Sequence, residues 1–185
     1  YVALLKKDSK IFFSTPTFFT NIALSPLLGA IAVIVVAIKM SNAQTATDID
    51  EDLKIFINYA PTIIIGISAF IYGMTPATSI AINMEGKKFW LMKSLPIDEK
   101  KYLLSKILFN MILYIPFILI SGIVAIIFLK PGILDCISII IAPIVFSLCY
   151  SFVGLIFNLK HPNIDYTNPA QAVKQNNGVL FTLLI

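Results

Sequence analysis

The sequence predicts an all-α protein that crosses a lipid bilayer several times, and three observations predict it. Of the 185 residues, 58% are apolar and only 13% are charged, whereas soluble domains have about 45–50% apolar and about 25% charged residues. The mean hydropathy is +0.88. Four uncharged runs reach the length of about 20 helical residues that a span needs. Their apolar character is continuous rather than alternating, which disfavours barrel strands.

The uncharged runs predict four complete spans and the start of a fifth. The spans are expected over about residues 18–38, 57–84, 107–129 and 136–159, and a truncated span begins at residue 179. A signal peptide at the first run is disfavoured because the apolar stretch 11–38 exceeds the 7–15 residues of a signal core. Since the chain begins with Tyr1 and ends inside an apolar run, we expect an internal fragment of a longer protein.

The distribution of lysine predicts the orientation of these spans. All 14 basic residues are lysines, and six of them lie within 85–106 and three within 1–10. The segment 39–54 has two lysines against four acidic residues. Because cytoplasmic loops carry an excess of lysine and arginine, we expect the N-terminal end, the loop 85–106 and the loop 160–178 in the cytosol. The loop 39–54 is then extracellular and could form a short helix.

Several residues inside the apolar runs carry structural expectations. Five prolines each remove a backbone hydrogen bond and can kink a span, either because the protein changes shape or because membrane helices tolerate proline: Pro26, Pro61, Pro76, Pro116 and Pro143. The small residues of 75–79 favour close helix packing over a polar lining. Cys136 and Cys149 are 13 positions apart in one predicted helix, roughly 20 Å, which is too far for a disulfide.

The composition also disfavours several functions. No P-loop motif is present, so the chain by itself is not expected to bind ATP, and no cofactor is predicted. The predicted spans contain no Asp, Glu, Lys, Arg or His, which argues against a proton-driven carrier and an intramembrane hydrolase. The lack of arginine disfavours nucleic acid as a partner. His161 beside Asp165 is too small a set for a metal site.

The segment 85–101, with the sequence EGKKFWLMKSLPIDEKK, combines five lysines with the only tryptophan. Trp90 fits the membrane interface, and the lysine ammonium groups can reach anionic headgroups. Pro96 favours an extended Leu95, and Asp98 is expected to cap a new helix that leads into the third span. Composition alone favours an ordinary positive-inside loop over a docking surface.

Two segments resemble permease subunits of type-2 ATP-binding-cassette (ABC) exporters from Firmicutes. In the first, 79–107, the residues that match the family's pattern are Glu85, Gly86, Lys87, Trp90, Lys93, Ser94, Leu95 and Pro96. In the second, 154–176, they are Gly154, Asn158, Leu159, Pro162, Asp165, Asn168, Val173, Lys174 and Gln175. The chain departs from the pattern at Tyr166, where tryptophan is usual, and at Pro169, where glutamate is usual.

The resemblance implies the membrane half of an exporter in a bacterial cell membrane. A separate cytosolic ATPase subunit would bind ATP and Mg²⁺, and a second permease half would complete the substrate pathway, so this chain is not expected to be an enzyme. It also implies an ATPase-facing surface made of Glu85, Gly86, Lys87, Lys88, Phe89, Trp90, Lys93 and Pro96. A second cytosolic motif would comprise Asn158, Pro162, Asp165, Lys174 and Gln175.

Two other functions fit the same residues. One is a membrane scaffold or sensor without transport activity, whose lysine-rich loop binds anionic lipid. The other is a membrane-embedded enzyme whose active site lies outside this sequence. Association with a P-loop ATPase favours the exporter, whereas lipid binding without such an association favours the scaffold.

Overall fold

The computed structural model describes residues 2–45, 57–74, 76–94 and 96–162, and every regular element in these ranges is helical. The elements are α1 (Val2–Ser14), α2 (Pro16–Thr45), α3 (Ala60–Gly73), α4 (Pro76–Ser79), a 3₁₀ segment (Asn83–Lys88), α5 (Phe89–Ser94), α6 (Glu99–Leu129) and α7 (Ile133–Lys160). The predicted all-α class is confirmed.

Four helical stretches are long and apolar enough to cross a membrane, as the sequence predicts. They are Pro16–Gln44, Ala60–Gly86, Glu99–Leu129 and Ile133–Lys160. Large apolar side chains remain exposed along them, for example Ile120, Ile127 and Ile156 at 56–62%. An exposed apolar surface of this extent is expected where helices face lipid.

Consecutive spans run in opposite directions, so the described chain has two ends. At the end that we call the linker end, Asn158 of α7 bonds to the backbone amide of Ile82. At the opposite end, which we call the far end, the Ser41 hydroxyl donates to the Phe128 carbonyl. The linker end also contains α1, the 3₁₀ segment, α5 and the start of α6, because Lys106 of α6 contacts Asp8 of α1 and Glu85 of the 3₁₀ segment.

The boundaries of α6 follow from local sequence. Asp98 lies in an extended conformation, and its carboxylate accepts a hydrogen bond from the Lys100 amide at 3.0 Å, which confirms the predicted cap. α6 ends where Lys130 adopts a left-handed conformation with φ 46°, and Pro131 follows. Because proline cannot donate a backbone hydrogen bond, it favours a stop after the C-cap.

Only three of the five prolines lie inside a long helix: Pro26, Pro116 and Pro143. Pro61 occupies the first turn of α3, where no intrahelical bond is lost, so its predicted kink is wrong. Pro76 begins α4. The two cysteines are free, as expected.

The second apolar run is not one continuous α-helix, although the sequence predicts a single span over 57–84. α3 stops at Gly73, and the chain continues through α4 and a turn into the 3₁₀ segment. α7 packs against this broken stretch through Gly154, where an added Cβ atom would lie 2.7 Å from the Ser79 hydroxyl. The expected close packing of the small residues around Ser79 is confirmed.

Several predictions concern residues outside the described ranges. They are most of the extracellular loop 39–54, most of the cytosolic loop 160–178, and the span that begins at residue 179. The extended conformation predicted for Leu95 belongs with them.

Candidate functional site

We call the matching residues within 85–96 the first motif. It begins with a sharp change of backbone direction. Glu85 lies in the first turn of the 3₁₀ segment, and Gly86 has φ 53° and ψ −139°. Only glycine adopts this region without strain. After Gly86 the chain turns into α5, which starts at Phe89. Glycine at this position therefore separates a buried glutamate from the helix that follows it.

Glu85 belongs to a buried cluster of four charged residues from three elements. The Lys106 ammonium group of α6 lies 2.6 Å from Glu85 Oε1 and 2.7 Å from Asp8 Oδ1 of α1. Lys7 of α1 reaches the same Glu85 oxygen at 2.6 Å. We call Lys7, Asp8, Glu85 and Lys106 the ion cluster.

The ion cluster is neutral in charge and shielded from solvent. The side chains of Glu85, Lys106 and Asp8 are 2–5% exposed, and only Lys7 reaches 29%. Two carboxylates face two ammonium groups, and the attraction between them offsets the free-energy cost of removing each charge from water. Loss of one partner would leave a buried charge unpaired. The Tyr102 ring lies beside both lysines, with its centroid 5.0 Å from Lys106 Nζ and 5.5 Å from Lys7 Nζ.

The geometry of the ion cluster suits mechanical fixation. Each Lys106 bond connects α6 to a different element, and the Lys7 bond adds a second link from α1 to Glu85. Each carboxylate is held through one oxygen. In the described ranges, no group of three or more histidine, cysteine, aspartate or glutamate residues could hold a metal ion. What the described cluster provides is a set of buried ion pairs that connects α1, the 3₁₀ segment and α6.

Comparison with known families places the chain among polytopic membrane proteins. A family model described as a membrane protein of 12 TMs matches residues 1–185. The chain belongs to this 12-TM family. Comparisons with curated proteins and with solved structures gave no match. The family and the four apolar helices of the described residues both support a membrane protein with several spans.

Two aromatic residues of the first motif lie in different environments. Phe89 is half-buried and packs against an apolar cluster that includes Ile82, Ile107 and Leu155. Trp90, its neighbour, is 67% exposed. α5 is thus attached to the bundle through Phe89 while it presents Trp90 outward.

The other residues of the first motif are only partly defined. Pro96 is exposed. The side chains of Lys87, Lys88 and Lys93 lie outside the description, although their backbone is helical. Their predicted contact with an ATPase stays a prediction, as does that of Glu85, whose carboxylate points into the ion cluster.

The second motif contributes one described residue to the linker end. Asn158 is fully buried; it accepts from the Ile82 amide at 2.7 Å and donates to the Asn83 side chain at 2.9 Å. It therefore satisfies a backbone group and a side-chain group where the 3₁₀ segment begins. Pro162 is exposed, and Asp165, Lys174 and Gln175 lie outside the described residues.

Three members of the ion cluster could not be identified in the sequence analysis: Lys7, Asp8 and Lys106. They lie in connecting segments, where charged residues are ordinarily exposed to solvent. A signal was present in the spacing. Lys106 comes eight residues after the Asp98 cap, two turns inside α6, and Asp8 lies four positions before the buried Phe12. An acid and a base on buried helix faces at the same membrane boundary favour an ion pair.

Proposed function

We propose that this chain is the membrane-spanning permease subunit of an ABC-type exporter and couples to a separate ATPase subunit that binds ATP and Mg²⁺. The 12-TM family supports a multi-span membrane protein, and the two resembling segments support the finer assignment. The observation that carries the proposal is the arrangement of the first motif. It forms a short helix with an exposed tryptophan, and a buried ion cluster fixes its base to two other helices.

The ATPase contact is α5 with its flanking lysines. Trp90 offers a large exposed aromatic surface, and tryptophan is among the residues that contribute most to binding at protein interfaces. The lysines at 87, 88 and 93 supply charge that speeds encounter with an acidic partner surface. The linker end then lies in the cytosol of a bacterial cell, in agreement with the lysine count of the connecting segments.

The apolar spans form one side of the substrate pathway, and a second permease half forms the other. Membrane lipids cover the remaining apolar surface. The charges of the described chain collect at the ends of the spans, so ion coupling within the spans is not part of the mechanism. Free energy for transport comes instead from ATP bound to the partner subunit.

Trp90 permits a direct test. The full-length protein is co-expressed with a candidate P-loop ATPase subunit and purified in nanodiscs. We expect the two proteins to co-purify, and we expect complex formation to protect from iodide the part of the tryptophan emission that Trp90→Phe removes. Lys87→Glu with Lys88→Glu should weaken the complex, whereas Lys39→Glu, an exposed lysine at the far end, should not. Unchanged association and unchanged ATPase stimulation in the double variant would contradict the proposal.

A lipid-binding scaffold is the second candidate, because an exposed tryptophan between lysines also suits a membrane interface. The same fluorescence experiment separates the two. Brominated anionic lipid in the nanodisc would quench Trp90 if it lies in the interface. Quenching by that lipid, without any effect of the ATPase on emission, would favour the scaffold over the exporter.

A further inference from the structure

Glu85 is turned away from the surface that α5 presents. Its side chain is 2% exposed and its Oε1 atom receives both lysine bonds of the ion cluster. Trp90 lies only five residues further along the chain and is 67% exposed. The first motif therefore contains an inward-facing anchor and an outward-facing contact, separated by the conformation that Gly86 alone permits.

The anchor connects the base of α5 to the next helix, α6, and to α1, which lies far from it in the sequence. Lys106 joins Glu85 to α6 and, through Asp8, to α1. A sliding motion of one element would separate buried opposite charges, which carries a large free-energy cost. Packed elements joined in this way move together between discrete arrangements rather than deforming gradually.

Phe89 closes the connection on the other side of Gly86. It packs against the apolar cluster that contains Ile82, Leu155 and Ile107, the residue after Lys106. A displacement of α5 is therefore opposed both by apolar packing and by the ion cluster. The apolar packing and the ion cluster therefore both connect α5 to the N-terminal part of α6.

From these contacts we infer that Glu85 and Lys106 are positioning residues of a three-way joint, which makes α1, the 3₁₀ segment and α6 move as one body when a partner displaces α5. This inference rests on the proposed function, because it assigns to Glu85 the transmission of ATPase movement rather than contact with the ATPase. Lys106 does no chemistry; its two bonds hold the three elements in a fixed relation.

The joint is tested in the same variants by two measurements, which are the distance between two spin labels and the stimulation of ATP hydrolysis. Spin labels are placed at Lys10→Cys on α1 and Leu104→Cys on α6, both exposed positions, after every native cysteine, Cys136 and Cys149 included, has been replaced by serine. In full-length protein in nanodiscs we expect a narrow distance distribution. Glu85→Gln and Lys106→Met should broaden it. Lys101→Met, an exposed lysine one turn earlier, should not.

The second measurement separates position from binding. Glu85→Gln should co-purify with the ATPase as well as the parent chain does, because Trp90 is unchanged. Stimulation of ATP hydrolysis should fall by about fivefold or more, the lower end of the range for coupled sites. Glu85→Gln keeps the shape of glutamate, so it serves if Lys106→Met fails to fold.

The outcomes distinguish the two proposals. If the ATPase binds the parent chain but Glu85→Gln leaves both the distances and the stimulation unchanged, the joint is wrong and the proposed function stands. Loss of ATPase binding in Glu85→Gln would also overturn the joint, since it would make Glu85 part of the contact. If the parent chain itself binds no ATPase, the proposed function fails, and the coupling role fails with it.

Discussion

The linker end and the far end of the described helices are held by different interactions, although the same spans meet at both. Charged and amide side chains from several elements are buried at the linker end, in the ion cluster and at Asn158. At the far end, a side-chain link between α2 and α6 is an exposed bond from Ser41 to the Phe128 carbonyl. α7 begins there at Ile133, and its N-cap residue, Gly132, provides no side-chain hydrogen bond.

The difference follows from the regularity of the backbone. At the far end α6 remains helical to Leu129, and apolar packing is sufficient to hold it against its neighbours. At the linker end, the chain between Gly73 and α5 leaves the α-helical path, so its polar backbone groups need side-chain partners. Asn158 supplies one of them, and the ion cluster fixes the position where the irregular stretch ends. Stability at this end therefore depends on individual side chains, and the predictions below test that dependence.

The largest effect is expected from Lys106→Met. The variant leaves both buried carboxylates with Lys7 alone, which lies 2.6 Å from Glu85 Oε1 but 3.7 Å from Asp8 Oδ1, and breaking a buried ion pair costs about 3–5 kcal/mol. The midpoint of thermal unfolding in detergent measures it, with Lys101→Met as the exposed control. Equal midpoints for the two variants would show that the ion cluster contributes no stability.

Asn158→Ala should have a smaller but clear effect, because it removes the acceptor of the Ile82 amide. A buried group left without its hydrogen bond costs about 1–3 kcal/mol. Ser41→Ala, which removes the exposed bond at the far end, should change stability by no more than about 0.5 kcal/mol. A larger loss in Ser41→Ala than in Asn158→Ala would reverse the comparison between the two ends.

Gly154→Ala tests the close approach of α7 to the broken stretch. The added Cβ atom would lie 2.7 Å from the Ser79 hydroxyl and 3.2 Å from the Ser79 amide nitrogen. Overpacking of this kind costs about 1–3 kcal/mol. Gly66→Ala in α3 is the matched control, since a Cβ atom there meets nothing within 4 Å. We expect Gly66→Ala to stabilise the protein, by roughly 0.5–1 kcal/mol.

Asp98→Ala should have the smallest effect of the four. It removes the cap of α6 at the linker end, which costs about 1 kcal/mol for a typical N-cap. Asp98→Asn retains an oxygen that can accept from the Lys100 amide and should recover most of the loss. Thermal unfolding of both variants measures this; identical midpoints for alanine and asparagine would mean that the bond to Lys100 adds nothing.

Much of the fold is predictable from the sequence because it depends on local composition and spacing. The length of each apolar run gives the four spans, and Asp98 marks the start of α6 because a carboxylate can accept from the first free amides. The separation of Cys136 and Cys149 follows from helix rise alone. The sequence also indicated the first motif, in which Trp90 lies among several lysines.

The path of the second apolar run was not predictable in the same way. Its hydropathy matches a continuous span, yet the helix ends at Gly73 and the chain reaches Gly86 through shorter elements. Contacts with α7, where Gly154 leaves room for Ser79 and Asn158 satisfies the Ile82 amide, stabilise this path.

By itself, the sequence determined the helical membrane class, the approximate spans and the lysine-rich segment, because each arises from residues close together in the chain. Tertiary structure alone decided that Glu85 faces inward, and that Asp8 and Lys106, 98 positions apart, lie within 2.7 Å of each other. Pairing of buried charges depends on which helix faces meet, and the local pattern of a helix does not specify its partner.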